Sequence, residues 1–339
     1  MSTSISIKEL KELDPSSYQI VDIRDAVEIS HGAIPGALVM KTEEIETSDA
    51  IDRSKKTIIC CSRGRFSVAA AEELQEKGWD AVSLEGGYIA WLMDVMSAPE
   101  EQDKAADVEK SLRKKFKKAI WSKFTKAINT YELVKPGDKI AVCISGGKDS
   151  MLMAKLFQEL QRHGKFPFEL VFLVMDPGYS PENRAIIESN AKLLQIPITV
   201  FETNIFNSVY NVENNPCYLC ARMRRGHLYH QAEVLGCNRS ALGHHFDDVI
   251  ETILMSMIYG GQVETMMPKL HSANFPGMQL IRPMYLIREA DIKHWCNYHN
   301  LRFIQCACRF TDTCTTCNPS SNTSSKRQKI KQLIAELAQ

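Results

Sequence analysis

The six residues Ser145-Gly146-Gly147-Lys148-Asp149-Ser150 constrain this chain more than any other stretch. They follow the apolar run KIAVCIS, which reads as a strand, and lead into Ser150–His163, which reads as a helix. Two glycines let backbone approach a phosphate, and the start of a helix offers N–H donors and the positive end of its dipole. Lys148, Ser145 and Ser150 complete an anion cradle. The spacing differs from the phosphate loop G-x-x-x-x-G-K-[ST].

Strand and helix patterns keep alternating after this loop. Residues 168–175, 198–202 and 240–243 read as strands, and 181–194, 226–235 and 247–259 as helices. Such alternation predicts a doubly wound α/β sheet. Gly243-His244-His245-Phe246-Asp247-Asp248 leaves the 240–243 strand and opens a helix. Neighbouring carboxylates at a strand end suit Mg²⁺ bridging to a triphosphate, and they also suit an acidic helix cap. Asp176 ends the strand VFLVMD, a position from which it is expected to line a nucleotide pocket.

The first hundred residues form a second, smaller α/β pattern with parallel strands. Tyr18–Asp22, Thr57–Cys61 and Ala81–Leu84 read as buried strands, and Ser67–Lys77 and Gly87–Met96 as helices. A length of 339 residues suits two domains. The polar stretch 98–108 reads as a linker between a domain over 1–97 and one over 109–339. Within the first, Cys61 opens the loop Cys61-Ser62-Arg63-Gly64-Arg65-Phe66-Ser67 between a strand and a helix. Backbone N–H groups and a helix start stabilise an anion on sulfur there, and Arg63 and Arg65 add positive charge. Such a thiolate attacks a sulfur donor or carries an outer sulfur as a persulfide. Cysteine phosphatases use similar geometry but need an arginine after five intervening residues, where this chain has Ser67. Cys60 lies within the strand and reads as a packing residue.

The chain has eleven cysteines and starts with MSTSISIKELKELD, which lacks the apolar core of an export signal. A disulfide framework is therefore not expected. No run of about 18 apolar residues predicts a membrane span, and the reading is cytoplasmic. Formal net charge is zero, so an acidic partner must meet a local basic patch. One candidate is a long helix over 109–133. Leu112, Phe116, Ile120, Phe124 and Ile128 form its packing face, and Lys110, Arg113, Lys114, Lys115, Lys117, Lys118, Lys123 and Lys126 lie opposite. That basic face is either solvated or a platform for phosphates. Cys217 and Cys220 form a C-x-x-C followed by Arg222, Arg224 and Arg225, a pattern open to redox, zinc or iron–sulfur roles. Cys306, Cys308, Cys314 and Cys317 crowd the C-terminal region.

These motifs carry resemblances. Val21-Asp22-Ile23-Arg24 with Glu28, His31-Gly32-Ala33-Ile34-Pro35-Gly36-Ala37, the Cys61 loop and Glu85-Gly86-Gly87-Tyr88-Ile89-Ala90-Trp91 together resemble a rhodanese domain, which implies that Cys61 carries a persulfide. S-G-G-x-D-S resembles the PP-loop of N-type ATP pyrophosphatases, whose fold is adenine nucleotide α-hydrolase-like and which adenylate a carbonyl oxygen. In PP-loop enzymes that modify tRNA, G-H-x-x-D-D lies at the ATP site. The resemblance thus implies ATP and Mg²⁺ at residues 145–150 with His244 and Asp247, and catalytic roles for Asp149 and Asp248; Asp176 joins the cofactor-binding set by position alone. P-C-x-L-C-x-R-x-R-R-G ahead of A-L-G-H-H-x-D-D, Met267-Pro268-Lys269-Leu270 and Ile281-Arg282-Pro283 resemble the tRNA 2-thiocytidine synthetase family over about residues 109–339. That family implies a [4Fe–4S] cluster held by Cys217, Cys220 and one later cysteine. The family pattern has a C-x-x-C after F-I-P, whereas this chain has Cys306-Ala307-Cys308 and then Cys314-Thr315-Thr316-Cys317. Position after the strand points to Cys306; spacing also admits Cys314 or Cys317.

The expected activity is ATP-dependent thiolation of a tRNA base, cytidine to 2-thiocytidine in the anticodon loop. The expected partners are tRNA and a sulfur donor, thiosulfate or a cysteine desulfurase, and a homodimer is one assembly open to the chain. The rival readings are a sulfurtransferase acting on a small molecule, a thionucleobase desulfurase and a non-catalytic iron–sulfur protein.

Overall fold

A computed structural model describes residues 3–30, 32–97, 104–209, 216–272, 274–303 and 326–337. The chain divides into two compact units, Met1–Glu100 and Glu101–Gln339.

The first unit runs β1 (Ser4–Ile5), α1 (Ile7–Glu12), β2 (Tyr18–Asp22), α2 (Ala26–Ser30), β3 (Leu38–Val39), β4 (Lys56–Cys60), α3 (Arg65–Glu76), β5 (Ala81–Leu84) and α4 (Gly87–Ser97). Its sheet is parallel, in the order β1-β5-β4-β2-β3. Central β4 is buried from Thr57 to Cys60, as a strand covered on both faces must be. Ala70, Ala71 and Leu74 of α3 pack with Val21, Ile59 and Ala81. Cys60 is fully buried, and burial pushes its thiol up, so it serves as packing. The strand stops one residue earlier than its apolar pattern predicts. Cys61 leaves the ladder because its carbonyl accepts from the Tyr88 N–H at 2.8 Å.

The second unit opens with α5 (Lys104–Arg113) and α6 (Ser122–Thr130), joined through a wide turn at Lys117–Trp121. This corrects the single helix expected over 109–133. The Phe116 N–H donates to the Ser111 carbonyl five residues back, and Trp121 does the same to Phe116. The extra residue per turn lets Phe116 pack edge-on against His294 and Tyr298. α5 starts inside the segment that reads as linker. The expected apolar face is buried from Leu112 to Ile128, and the lysines opposite are exposed except Lys123, which pairs with Asp291 at 2.9 Å.

The remaining elements are β6 (Lys139–Ile144), α7 (Lys148–His163), β7 (Glu169–Asp176), α8 (Pro181–Leu193), β8 (Ile198–Glu202), α9 (Ile205–Val209), α10 (Pro216–Val234), β9 (Arg239–Ala241), α11 (Phe246–Gly260), β10 (Lys269–His271), β11 (Gln279–Ile281), α12 (Glu289–Tyr298) and α13 (Lys326–Leu337). The sheet order is β10-β11-β9-β6-β7-β8, parallel apart from β10 at the edge. The chain builds outward from β6 through β7 to β8, then returns to the other side of β6 with β9. Strand order therefore reverses between β6 and β9, where doubly wound sheets open a crevice at their C-terminal ends. α10 begins ten residues before its predicted start at Gly226, with a proline at the first helical position. The arginine-rich stretch hides its apolar pattern. Cys220, Leu219 and Met223 nevertheless pack on Met175, Ile205, Phe206 and Val209. Among the described residues, no helix is long and apolar enough to cross a membrane.

Candidate nucleotide site and sulfur loop

The loop after β6 is a closed cradle. Gly146 has φ +84°, a conformation that favours glycine. The Ser150 hydroxyl donates to the Gly147 carbonyl at 2.9 Å, and the Ser145 N–H donates to the Ser150 hydroxyl at 3.2 Å. Gly147 starts α7 without a side-chain cap, so the first-turn N–H groups face the crevice as anion donors. The Lys148 ammonium lies 3.1 Å from Asp149 and 3.2 Å from Glu289. Burial opposes its charge, but Asp149 and Glu289 outweigh burial and raise its pKa. Burial likewise opposes the Glu289 carboxylate, yet Lys148, Lys331 and Lys293 hold it at about 2.

The loop after β9 meets this cradle. A Cβ on Gly243 would stand 3.2 Å from the Ser150 amide nitrogen and 3.3 Å from the Asp149 carbonyl carbon, so glycine sets how closely the two loops approach. His245 caps α11: its Nδ1 accepts from the Asp248 N–H at 3.4 Å, and its own N–H donates to Asp248 at 3.0 Å. The other face of its ring lies 3.9 Å from Asp149. Asp247 accepts from the Glu289 N–H at 2.7 Å and pairs with Arg288 at 3.0 Å. Asp149, Asp247 and Asp248 thus surround one imidazole. One Asp149 oxygen is buried with no hydrogen-bond partner among the described residues. Such an oxygen fits a cation. Among the described residues, no three acidic, histidine or cysteine side chains are gathered into a closed metal cage.

His244 sits beside the crevice. Burial lowers its pKa to about 4, with Arg282 and Arg327 acting in the same direction against Asp248, so the ring is neutral at pH 7. Asp176 stands differently. Its carboxylate accepts from the Gly178 and Tyr179 N–H groups at 2.8 and 2.7 Å and pairs with Arg184 at 2.7 Å. Burial would raise this carboxyl, but those partners keep it below the usual range. Its side chain builds the turn into α8. Sequence reading missed Glu289, Arg288, Glu251 and Arg327 as neighbours of the site. Glu251 left a local signal, three residues after Asp248 on the same helix, and Arg327 lies in Ser325-Lys326-Arg327-Gln328, which resembles the tRNA 2-thiocytidine synthetase family.

Cys220 is 7% exposed among apolar side chains. Cys217 lies in the first turn of α10, and i, i+3 spacing places both on one helix face. A C-x-x-C at this spacing suits an iron–sulfur cluster. Cys306, Cys308, Cys314 and Cys317 lie outside the described residues, as does the side chain of Cys217.

In the first unit, Cys61 is 4% exposed. Its sulfur accepts from the Gly64 N–H at 3.2 Å and lies 3.3 Å from the Ser67 hydroxyl, which is 2.8 Å from that of Ser83. A Cβ on Gly87 would meet the Cys61 carbonyl at 2.2 Å and the Gly64 nitrogen at 2.7 Å, so α4 starts in backbone contact with the loop. Ser67 is buried where a phosphatase would hold its arginine. The Ser62 hydroxyl donates to Glu28 at 2.5 Å, and burial raises that carboxyl.

The PP-loop domain family matches residues 113–310, and the rhodanese-like domain family matches residues 6–94. A tRNA-cytidine(32) 2-sulfurtransferase of Syntrophotalea carbinolica is 34% identical over 68% of this chain and 85% of its own length. The enzyme of that name from Neisseria meningitidis is 37% identical over 53% of this chain, a match spanning 57% of the relative. The U34-tRNA thiolase NcsA of Methanococcus maripaludis, solved with its [4Fe–4S] cluster, aligns over 64% of this chain and 71% of its own at 21% identity and TM-score 0.49. The chain belongs to the PP-loop family that includes the tRNA-cytidine(32) 2-sulfurtransferases, and it carries a rhodanese-like domain ahead of its PP-loop domain.

Proposed function

We propose that this protein is an ATP-dependent tRNA sulfurtransferase that converts a cytidine of the anticodon loop to 2-thiocytidine, drawing sulfur through its own rhodanese-like domain. The observation that carries the proposal is the meeting of the 145–150 and 243–248 loops at the β6/β9 crevice, around a buried Asp149 oxygen with no hydrogen-bond partner among the described residues.

Residues 1–97 carry sulfur, 98–108 link, and 109–339 activate the base. The Cys61 thiolate attacks the outer sulfur of thiosulfate, releasing sulfite, or takes sulfur from a cysteine desulfurase. The Gly64 N–H and the Ser67 hydroxyl hold the resulting persulfide anion. In the second unit, Ser145, Gly146, Gly147, Lys148 and Ser150 bind the phosphates, and Asp149, Asp247 and Asp248 would hold Mg²⁺. His244, neutral at working pH, borders the nucleotide. Asp176 acts indirectly, by fixing the turn beside the pocket. Cytidine O2 attacks the α-phosphorus and pyrophosphate leaves. Sulfur then adds at C2 and AMP leaves, and a thiol reductant supplies the two electrons that release any remaining disulfide. The leaving group is the purpose of the ATP, because an amide-like oxygen departs poorly. A [4Fe–4S] cluster held by Cys217, Cys220 and Cys306 would supply an iron able to bind sulfide. The exposed lysines of α5 and α6 give tRNA phosphates a landing surface. The setting is the cytoplasm, where tRNA is.

The test is nucleoside analysis of tRNA incubated with anaerobically purified protein, Mg-ATP and labelled thiosulfate. We expect labelled 2-thiocytidine that requires ATP and vanishes in Asp149→Ala. Absence of any ATP-dependent thionucleoside sinks the proposal.

A further inference from the structure

The C-terminal helix brings Arg327, from a stretch whose sequence resembles the family but names no role, to the carboxylates of the nucleotide site. α13 packs on α11, with Ile330 buried beneath it. From its first turn Arg327 reaches two carboxylates. Its Nε donates to Glu251 at 2.6 Å, and its Nη2 donates to Asp248. Glu251 is 2% exposed, and Asp248 is one of the carboxylates facing the crevice. One end of the guanidinium is thus fixed on a buried anchor while the other meets Asp248, in the loop that faces the 145–150 loop.

A guanidinium has five N–H donors, and the two carboxylates engage one each, leaving three for another acceptor. The side chain is 44% exposed, so an incoming anion can reach them. Asp248 is already satisfied by the His245 N–H on its second oxygen. An arginine spent on an otherwise satisfied carboxylate, with donors to spare, is placed for a ligand that arrives there.

Resting on the nucleotide reading above, we propose that Arg327 binds the β and γ phosphates of ATP, with Glu251 as its positioning residue. Without nucleotide, Arg327 neutralises Asp248. When ATP binds, the Nη donors turn to the phosphates while the Glu251 contact stays, and the Asp248 carboxylate so released would be free to help hold Mg²⁺. Arginine forks suit phosphate geometry in this way.

The test measures dissociation constants of α,β-methylene-ATP and of AMP, each with Mg²⁺, by calorimetry on the full chain without tRNA. Arg327→Ala should weaken the triphosphate analogue about tenfold or more, the loss expected for a charge-assisted contact, and leave AMP within about twofold. Arg327→Lys keeps the charge and should fall between, so the result does not hang on one variant folding. Lys331→Ala removes another α13 contact with Glu251 and Glu289 and should leave both constants within about twofold. Equal weakening of AMP and the triphosphate in Arg327→Ala would show a role in helix docking alone and overturn the proposal. Unchanged triphosphate binding in Arg327→Ala overturns it too, with the nucleotide site intact. Failure of the unaltered chain to bind the triphosphate analogue would instead sink the nucleotide site itself.

Discussion

The Cys61 loop and the 145–150 loop share one geometry and differ in how they manage negative charge. Each leaves the C-terminal end of a central parallel strand and enters a helix. The Cys61 loop holds its anion with neutral donors, a backbone N–H and a buried hydroxyl. The 145–150 loop sits in a network of opposite charges made by Lys148, Asp149, Glu289, Asp248 and Arg327. The difference follows from the load. One sulfur anion is small and stays bonded to the chain, so a few short contacts suffice. A triphosphate brings several charges and must leave after each turnover, so its site needs counter-ions that can change partners.

The largest expected effects separate the two loops completely. Cys61→Ala should remove thiosulfate:cyanide transfer, a fall of about a thousandfold or more, because the nucleophile is gone. The same variant should bind ATP as the unaltered chain does. Asp149→Ala should do the reverse, abolishing ATP-dependent tRNA thiolation while sparing transfer to cyanide. If Cys61→Ala lost ATP binding, or Asp149→Ala lost transfer to cyanide, the division of labour would be wrong.

Backbone approach should come next. Gly87→Ala places a Cβ 2.2 Å from the Cys61 carbonyl, at φ +60°, where no flexible side chain can yield. We expect a loss of about 2–4 kcal/mol in the first unit, read from its urea transition. Gly243→Ala is milder, since its Cβ would meet backbone at 3.2–3.4 Å. A shift of a few tenths of an ångström between the two loops should weaken ATP several-fold without moving the urea midpoint.

Acid should sort the units by sign. The His244 pKa falls from 6.5 to about 4 on folding, so the unfolded chain takes up this proton first. Its contribution is complete above pH 6.5 and is lost as pH falls toward 4. Glu28 in the first unit has a raised pKa, so its contribution is complete below its unfolded value of 4.5 and is lost as pH rises through the folded value. Melting curves of His244→Asn and Glu28→Gln across pH 4 to 7 should show slopes that change in opposite directions. The smallest effect should be Ser67→Ala, which removes one hydroxyl from the sulfur and leaves that of Ser83 only the Leu84 carbonyl at 3.5 Å. About 1 kcal/mol of stability and a few-fold slower transfer are expected.

The two loops were legible because each lies within a handful of consecutive residues. Ser145–Ser150 and Cys61–Ser67 specify their own backbone through glycine, a preceding apolar strand and a following helix. The helix over α5 and α6 was legible in its buried face but not in its break. The wide turn at Phe116 answers to His294 and Tyr298, residues far along the chain. Asp176 shows the limit of position alone: it ends its strand as predicted, yet two backbone amides and Arg184 occupy its carboxylate.

By itself the sequence determined two parallel α/β units, the cysteine that would carry sulfur and the loop that would hold phosphate. Those depend on local hydrophobic periodicity and on short loops whose donors are their own backbone. Only tertiary structure decided what surrounds the phosphate loop. Glu289, Glu251 and Arg327 are brought to it by α12, α11 and α13, across more than a hundred residues of chain. Charge pairing acts through space and leaves no period in the sequence, so the fold had to place these groups before their roles could be read.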